Sequence, residues 1–259
     1  MRLQRIFGGL VLLTCLFLCG CSVLSGSQYP SFRYRMTVEV ETPQGLRTGS
    51  SVVEVRSWTT GDNILGAPHI FGTAIKGQAV VVDLPGGQNL FALQNVGLIF
   101  QFTPYPTEDT MENREKEKGF MQWKTDWQRV QIDRVIANKA LLTLPRFRDS
   151  IEAGAQPSSG YPTLVTFKDI NDPQTISLVD PDNLSATFDP GIKLRRITVQ
   201  ITDDAVTTDI NKRLPRAFWL KWGKINSAYY NENVGRAPPA VQPLTSKFSR
   251  DDFTSENIK

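Results

Sequence analysis

The sequence predicts an α+β, β-rich domain: antiparallel hairpins strung into a meander, two or three short helices, and a sandwich-like or barrel-like core. Three observations lead there. From Arg33 to Glu41 apolar and polar side chains alternate with the period of a half-buried strand. Sixteen prolines and nineteen glycines are spread over the 259 residues, which breaks the chain into short elements. Short β-branched runs stop at turn residues, as where Ala79 to Leu84 meets Pro85-Gly86-Gly87. An apolar fraction of 40%, with 10% aromatic residues, is enough to fill a core.

In the first strand Tyr34, Met36, Val38 and Val40 share the inward face, and Arg33, Arg35, Thr37, Glu39 and Glu41 face out. Thr42-Pro43-Gln44-Gly45 places proline second and glycine fourth, as a type I turn prefers, and Ser50 to Trp58 returns as the partner strand. Ala79 to Leu84, Asn89 to Gln94 and Val96 to Phe102 continue the meander. Between Pro106 and Val130 the period changes. Thr107 is placed to cap a helix, Glu108 and Asp109 fall in its first turn, Gly119 splits or kinks it, and Phe120, Trp123 and Trp127 share one face.

Val130 to Ile136 and Ala140 to Leu144 are read as a strand pair turning at Asn138-Lys139, with a helix as the alternative for the second piece. Gly154 to Gly160 is a loop, and Tyr161 to Lys168 restarts as a strand. Within Ile192 to Thr202 the apolar parity switches across Arg195-Arg196, which is what one extra residue in a strand does, so a β-bulge is expected there. Asp204 is read as the cap of a short helix carrying Val206, Ile210 and Leu214, with Lys212 and Arg213 in its last turn and Pro215 ending it. From Arg236 onward, RAPPAVQP and a polar tail read as extended or disordered.

The N-terminus carries an address. Met1 to Arg5 is short and basic, Ile6 to Gly20 is almost wholly apolar but too short to span a bilayer, and Leu18-Cys19-Gly20-Cys21 follows. These residues resemble the lipobox of bacterial lipoproteins, with Cys19 standing where alanine, serine or threonine is usual. The resemblance covers residues 1–21 only. It implies cleavage before Cys21 and lipidation of that cysteine, and Ser22 after it implies sorting to the outer membrane, facing the periplasm. The alternatives are an uncleaved anchor in the inner membrane or ordinary cleavage and release into the periplasm. The chain is thus divided into a leader (1–20), the lipidated Cys21 with a tether (21–29), a β-rich domain (30–235) with a candidate subdomain break at 154–160, and a tail (236–259).

Composition excludes several chemistries. Arg2 and Arg5 lie in the leader, so the excess over 26 acidic side chains falls from +3 for the whole chain to +1 after it, which offers no basic surface for nucleic acid. All three cysteines (Cys15, Cys19, Cys21) precede residue 22, leaving the domain without disulfide, thiolate site or cysteine nucleophile. His69 is the one histidine, set in a Gly-Ala-Pro-His loop, and nothing marks triad partners for it. Gly72 and Gly77 have phosphate-loop spacing, but Gln78 and Ala79 occupy the positions of the required lysine and hydroxyl, so the segment is read as a flexible turn. Asp169, Asp172, Asp180, Asp182 and Asp189 match no calcium-loop spacing and are read as turn caps.

No cofactor is expected. Phe218, Trp219, Trp222, Tyr229 and Tyr230 crowd one segment beside Lys221 and Lys224. Such density more often fills a core, but Trp219, Trp222, Tyr229 and Tyr230 are the candidate binding surface. The favoured function is a non-catalytic binding or structural module, anchored to the membrane by its lipid, with an envelope protein or cell-wall component as partner. The alternatives are an envelope hydrolase using carboxylates and an accessory of a secretion or surface assembly. A deep pocket with paired, raised carboxylates would favour the hydrolase.

Overall fold

The structure, a computed structural model, describes residues 28–59, 71–94, 120–148, 158–235, 239 and 241–255. Residue contacts divide the chain into two compact units, one drawn from Met1–Ser31, Arg56–Ala74 and Tyr105–Asp133, the other from Phe32–Val55, Ile75–Pro104 and Arg134–Lys259. In chain order the elements are β1 (Phe32–Thr42), β2 (Gly45–Thr59), β3 (Phe71–Lys76), β4 (Val80–Asp83), β5 (Asn89–Ala92), α1 (Phe120–Ala137), β6 (Leu142–Thr143), β7 (Phe147–Arg148), β8 (Ser158–Ser159), β9 (Leu164–Phe167), β10 (Ile176–Leu178), β11 (Lys193–Ile201), α2 (Arg216–Glu232) and α3 (Leu244–Lys247). The fold is β-rich, with antiparallel sheets of order β3-β2-β1-β11-β6 and β10-β9-β5-β4, while β7 and β8 form a separate ribbon. Neither large sheet closes into a barrel, so the sandwich-like expectation holds and the barrel-like one does not.

β1 is central because its alternation suits a sheet with one wet face: Tyr34, Met36, Val38 and Val40 are buried between β2 and β11. The hairpin turns where expected, and Gly45 takes φ +105°, a left-handed excursion that glycine makes without steric cost. Across β1 and β11 the register shifts so that Glu39 pairs with Arg196 and Val40 with Leu194, leaving Arg195 as the extra residue. The bulge therefore lies at the arginine pair, and both arginines converge on Glu39, at 3.6 Å from Arg195 and 2.7 Å from Arg196.

The four-stranded sheet is covered on both faces within the second unit. On one side β2 crosses so near to β4 that a Cβ on Gly49 would stand 2.1 Å from the carbonyl oxygen of Val81. On the other, Phe91, Val165, Phe167 and Ile176 pack against Leu214, Phe218, Trp219, Trp222 and Phe253. Every residue of β5 and β9 is buried, which explains why these strands read as continuous runs and not as alternations.

Several expectations are corrected. Val130 to Ile136 is not a strand but the second half of α1, and Gln131, Ile132 and Val135 are its buried positions, at helical spacing. The β-branched residues there misled the reading, because burial on one helical face outweighs their weak strand preference. Leu142–Thr143 does form a strand, but with β11 as partner. The helix expected after Asp204 reduces to one 3₁₀ turn, Ile210–Lys212; the Asp204 carboxylate accepts instead from Arg35 and from Thr202 Oγ1 (2.6 Å).

Gly72 and the residues after it form strand β3 and not a flexible turn. Part of the expected tail is folded: Phe253 is fully buried, its carbonyl accepts from Ala79 N at 2.7 Å, and the carbonyl of Asp252 accepts from Gln94 N at 2.9 Å. Leu244, Phe248 and Phe253 all pack against the core cluster, and their burial offsets part of the cost of ordering the segment. The expected strand Val96 to Phe102, the Thr107 cap and the split at Gly119 lie outside the described residues, as does most of the 154–160 loop.

Candidate functional site

The proposed aromatic surface divides along one helix. Trp219 and Trp222 are 5% and 4% exposed and belong to the core, so they are corrected as binding residues. Their spacing on α2 puts both rings, with Phe218, on the face turned to Phe167 and Phe253, with centroid separations of 5.0–6.4 Å. Their indole N–H groups find no acceptor among the described residues, so these rings act through packing alone. Tyr229 is half-buried and Tyr230 is 56% exposed; the two rings meet edge to face at 5.4 Å, and Tyr230 donates to the Ser246 carbonyl at 3.3 Å. The surface reading survives only at this tyrosine pair.

The aspartate stretch is a set of turn caps and ion pairs. Asp169 accepts from Asn171 N (2.9 Å) and Asp180 from Asp182 N (2.9 Å). Lys221 reaches Asp172 at 2.9 Å and holds that carboxyl below the usual range, with Gln174 N assisting. Arg146 does the same to Asp182, gripping it through Nε and Nη2 at 2.7–2.9 Å. Among the described residues no group of three or more His, Cys, Asp and Glu is placed to hold a metal. Cys21 and His69 lie outside the described residues.

Among the described residues, a cleft of about 790 Å³ opens at the end of the four-stranded sheet, which sequence reading missed. The turn between β4 and β5 forms one wall, the end of β9 and Lys168 to Ile170 another, and Thr187, Phe188 and Arg213 close the sides. Its rim is an ion pair: Arg213 grips Asp83 with both terminal nitrogens, Nη1 standing 2.6 Å from Oδ1. Thr166 donates to the Asn89 carbonyl at 2.6 Å and ties the walls together. Asn89 is 5% exposed, and its side-chain oxygen, like that of Gln88, is buried with no donor among the described residues. An unmet buried acceptor costs on the order of 1–3 kcal/mol, a penalty that the surrounding packing offsets.

The cleft is lined by polar and apolar groups alike, Phe167, Ile170 and Phe188 standing beside Asn89 and Lys168, and its two carboxylates are already engaged, Asp83 by Arg213 and Asp169 by its own turn. Such a mixed lining suits a ligand with both polar and apolar parts. The one local signal in the sequence is Pro85-Gly86-Gly87, which sets the turn; Asp83 and Arg213 are 130 residues apart, and no spacing rule joins them. Comparison with protein families, with curated proteins and with solved structures finds no match to this chain.

Proposed function

We propose that this chain is a lipid-anchored binding module of the bacterial envelope, held at the outer membrane through Cys21 and taking a segment of an envelope partner into the cleft at the end of the four-stranded sheet. The observation that carries the binding half is the cleft itself, whose carboxylates are already engaged by Arg213 and by the Asp169 turn. An acid–base hydrolase needs free carboxyls poised against each other, and the pairing of Asp83 with Arg213 works against that role. The anchoring half rests on the lipobox resemblance of Leu18 to Cys21.

Two readouts test it. Acyl labelling in the host should be lost in Cys21→Ala, with unprocessed precursor accumulating, and kept in Cys15→Ala and Cys19→Ala; label retained in the Cys21 variant contradicts the anchor. Thr187→Trp, a plug at an exposed wall of the cleft, should abolish capture of the crosslinked partner at an unchanged melting temperature. Undiminished capture would remove the cleft from the account.

A further inference from the structure

We infer that the outward face at the end of β2, presented by Arg56 and Trp58, is a membrane-contact surface that rests on the lipid headgroups beside the anchor; the inference depends on the lipid-anchor reading of Cys21. Within the first unit, Gln28 forms an isolated antiparallel bridge with Trp58, and Tyr29 N donates to the Ser57 carbonyl at 3.0 Å. The chain that arrives from the lipid therefore enters the fold directly alongside Trp58. Six residues lie between Cys21 and Gln28. The seven Cα–Cα steps reach at most about 25 Å, and the bridge to Gln28 adds about 5 Å, so Trp58 stays within about 30 Å of the acylated residue however the intervening chain runs.

The chemistry of the face fits a headgroup layer. Ser57 and Thr59 point inward and are buried, whereas Arg56 and Trp58 are two apart on the outward side, with Trp58 38% exposed. Tryptophan is enriched at membrane–water interfaces, where its apolar ring and its N–H are both accommodated, and a basic side chain beside it is drawn to anionic phospholipid. The ring is held in place: a Cβ on Gly72 would stand 2.3 Å from Trp58 Cε2, so glycine at position 72 leaves the room in which the indole is seated. A fixed, half-exposed indole needs little ordering when it meets the bilayer.

The test uses the acylated full chain in vesicles of phosphatidylethanolamine and phosphatidylglycerol carrying a headgroup spin label. Tryptophan emission of the wild type is compared with that of Trp58→Phe, or of Trp58→Tyr if the first variant fails to fold. The wild type should show a quenched component that these variants lack, and Arg56→Glu should reduce it as the phosphatidylglycerol content rises. Acylated wild-type protein whose Trp58 is not quenched overturns this inference alone and leaves the indole as a cover for Gly72. Wild-type protein found without acyl chains overturns the anchor and this inference together.

Discussion

Beneath α2 the four-stranded sheet is sealed by rings, whereas at its β4–β5 turn it opens into a cleft of mixed polar and apolar lining. The sealed region spends its polar atoms carelessly, burying the indole N–H groups of Trp219 and Trp222 without acceptors among the described residues, because ring packing outweighs the loss. In the open region Asp83 meets Arg213 at the exposed rim and Thr166 meets the Asn89 carbonyl beneath it, so polar contacts shape the walls. Aromatic density on the first half of α2 thus marks packing, and the cleft proposed for recognition lies where the sequence is least conspicuous.

The largest effect should come from breaking the seal. Phe253 is fully buried between Phe91, Phe167, Trp219 and Trp222, at centroid distances of 5.6–5.9 Å. Phe253→Ala should cost about 3–5 kcal/mol in chemical denaturation, because a cavity opens where four rings meet. A loss below ~1 kcal/mol would mean that the C-terminal segment is not seated in the core.

The opposite face of the same sheet should respond less. Gly49→Ala pushes a methyl into the Val81 backbone, which cannot step aside as a side chain would. A loss of roughly 1–3 kcal/mol is expected, read by the same denaturation curves.

Smallest is the acid response of the exposed ion pairs. Asp182 has its pKa lowered in the folded state by Arg146, so its contribution is present above the unfolded carboxyl value of about 4 and is lost as pH falls through the folded value. Asp182→Asn should therefore flatten the decline of melting temperature below about pH 4 and leave the neutral-pH side of the profile with the same shape. An unchanged acid limb would show that the pair does not persist in solution.

The same contrast explains what the sequence revealed. β1 was legible because one face is wet, so Tyr34, Met36, Val38 and Val40 stand out by alternation. The bulge at Arg195 was legible because one inserted residue flips parity. α1 was misread over Val130 to Ile136, where β-branched residues sit on a helix whose burial only the tertiary structure sets. The folded part of the tail was hidden because its anchoring residues, Leu244, Phe248 and Phe253, are few and stand among polar neighbours. The cleft was invisible for a different reason: Asp83 and Asn89 of the β4–β5 hairpin meet Thr166 and Arg213 from two distant segments, and none of them alone is unusual.

The most direct test sets the two regions against each other. A photoreactive amino acid is placed at Lys168, on the cleft wall, and in a second variant at Tyr230, on the exposed end of α2. Both are irradiated in the native host. The account predicts a discrete adduct from position 168 that Thr187→Trp suppresses, and none from position 230. A discrete adduct from position 230, with none from 168, would return the binding surface to the aromatic helix and contradict the cleft.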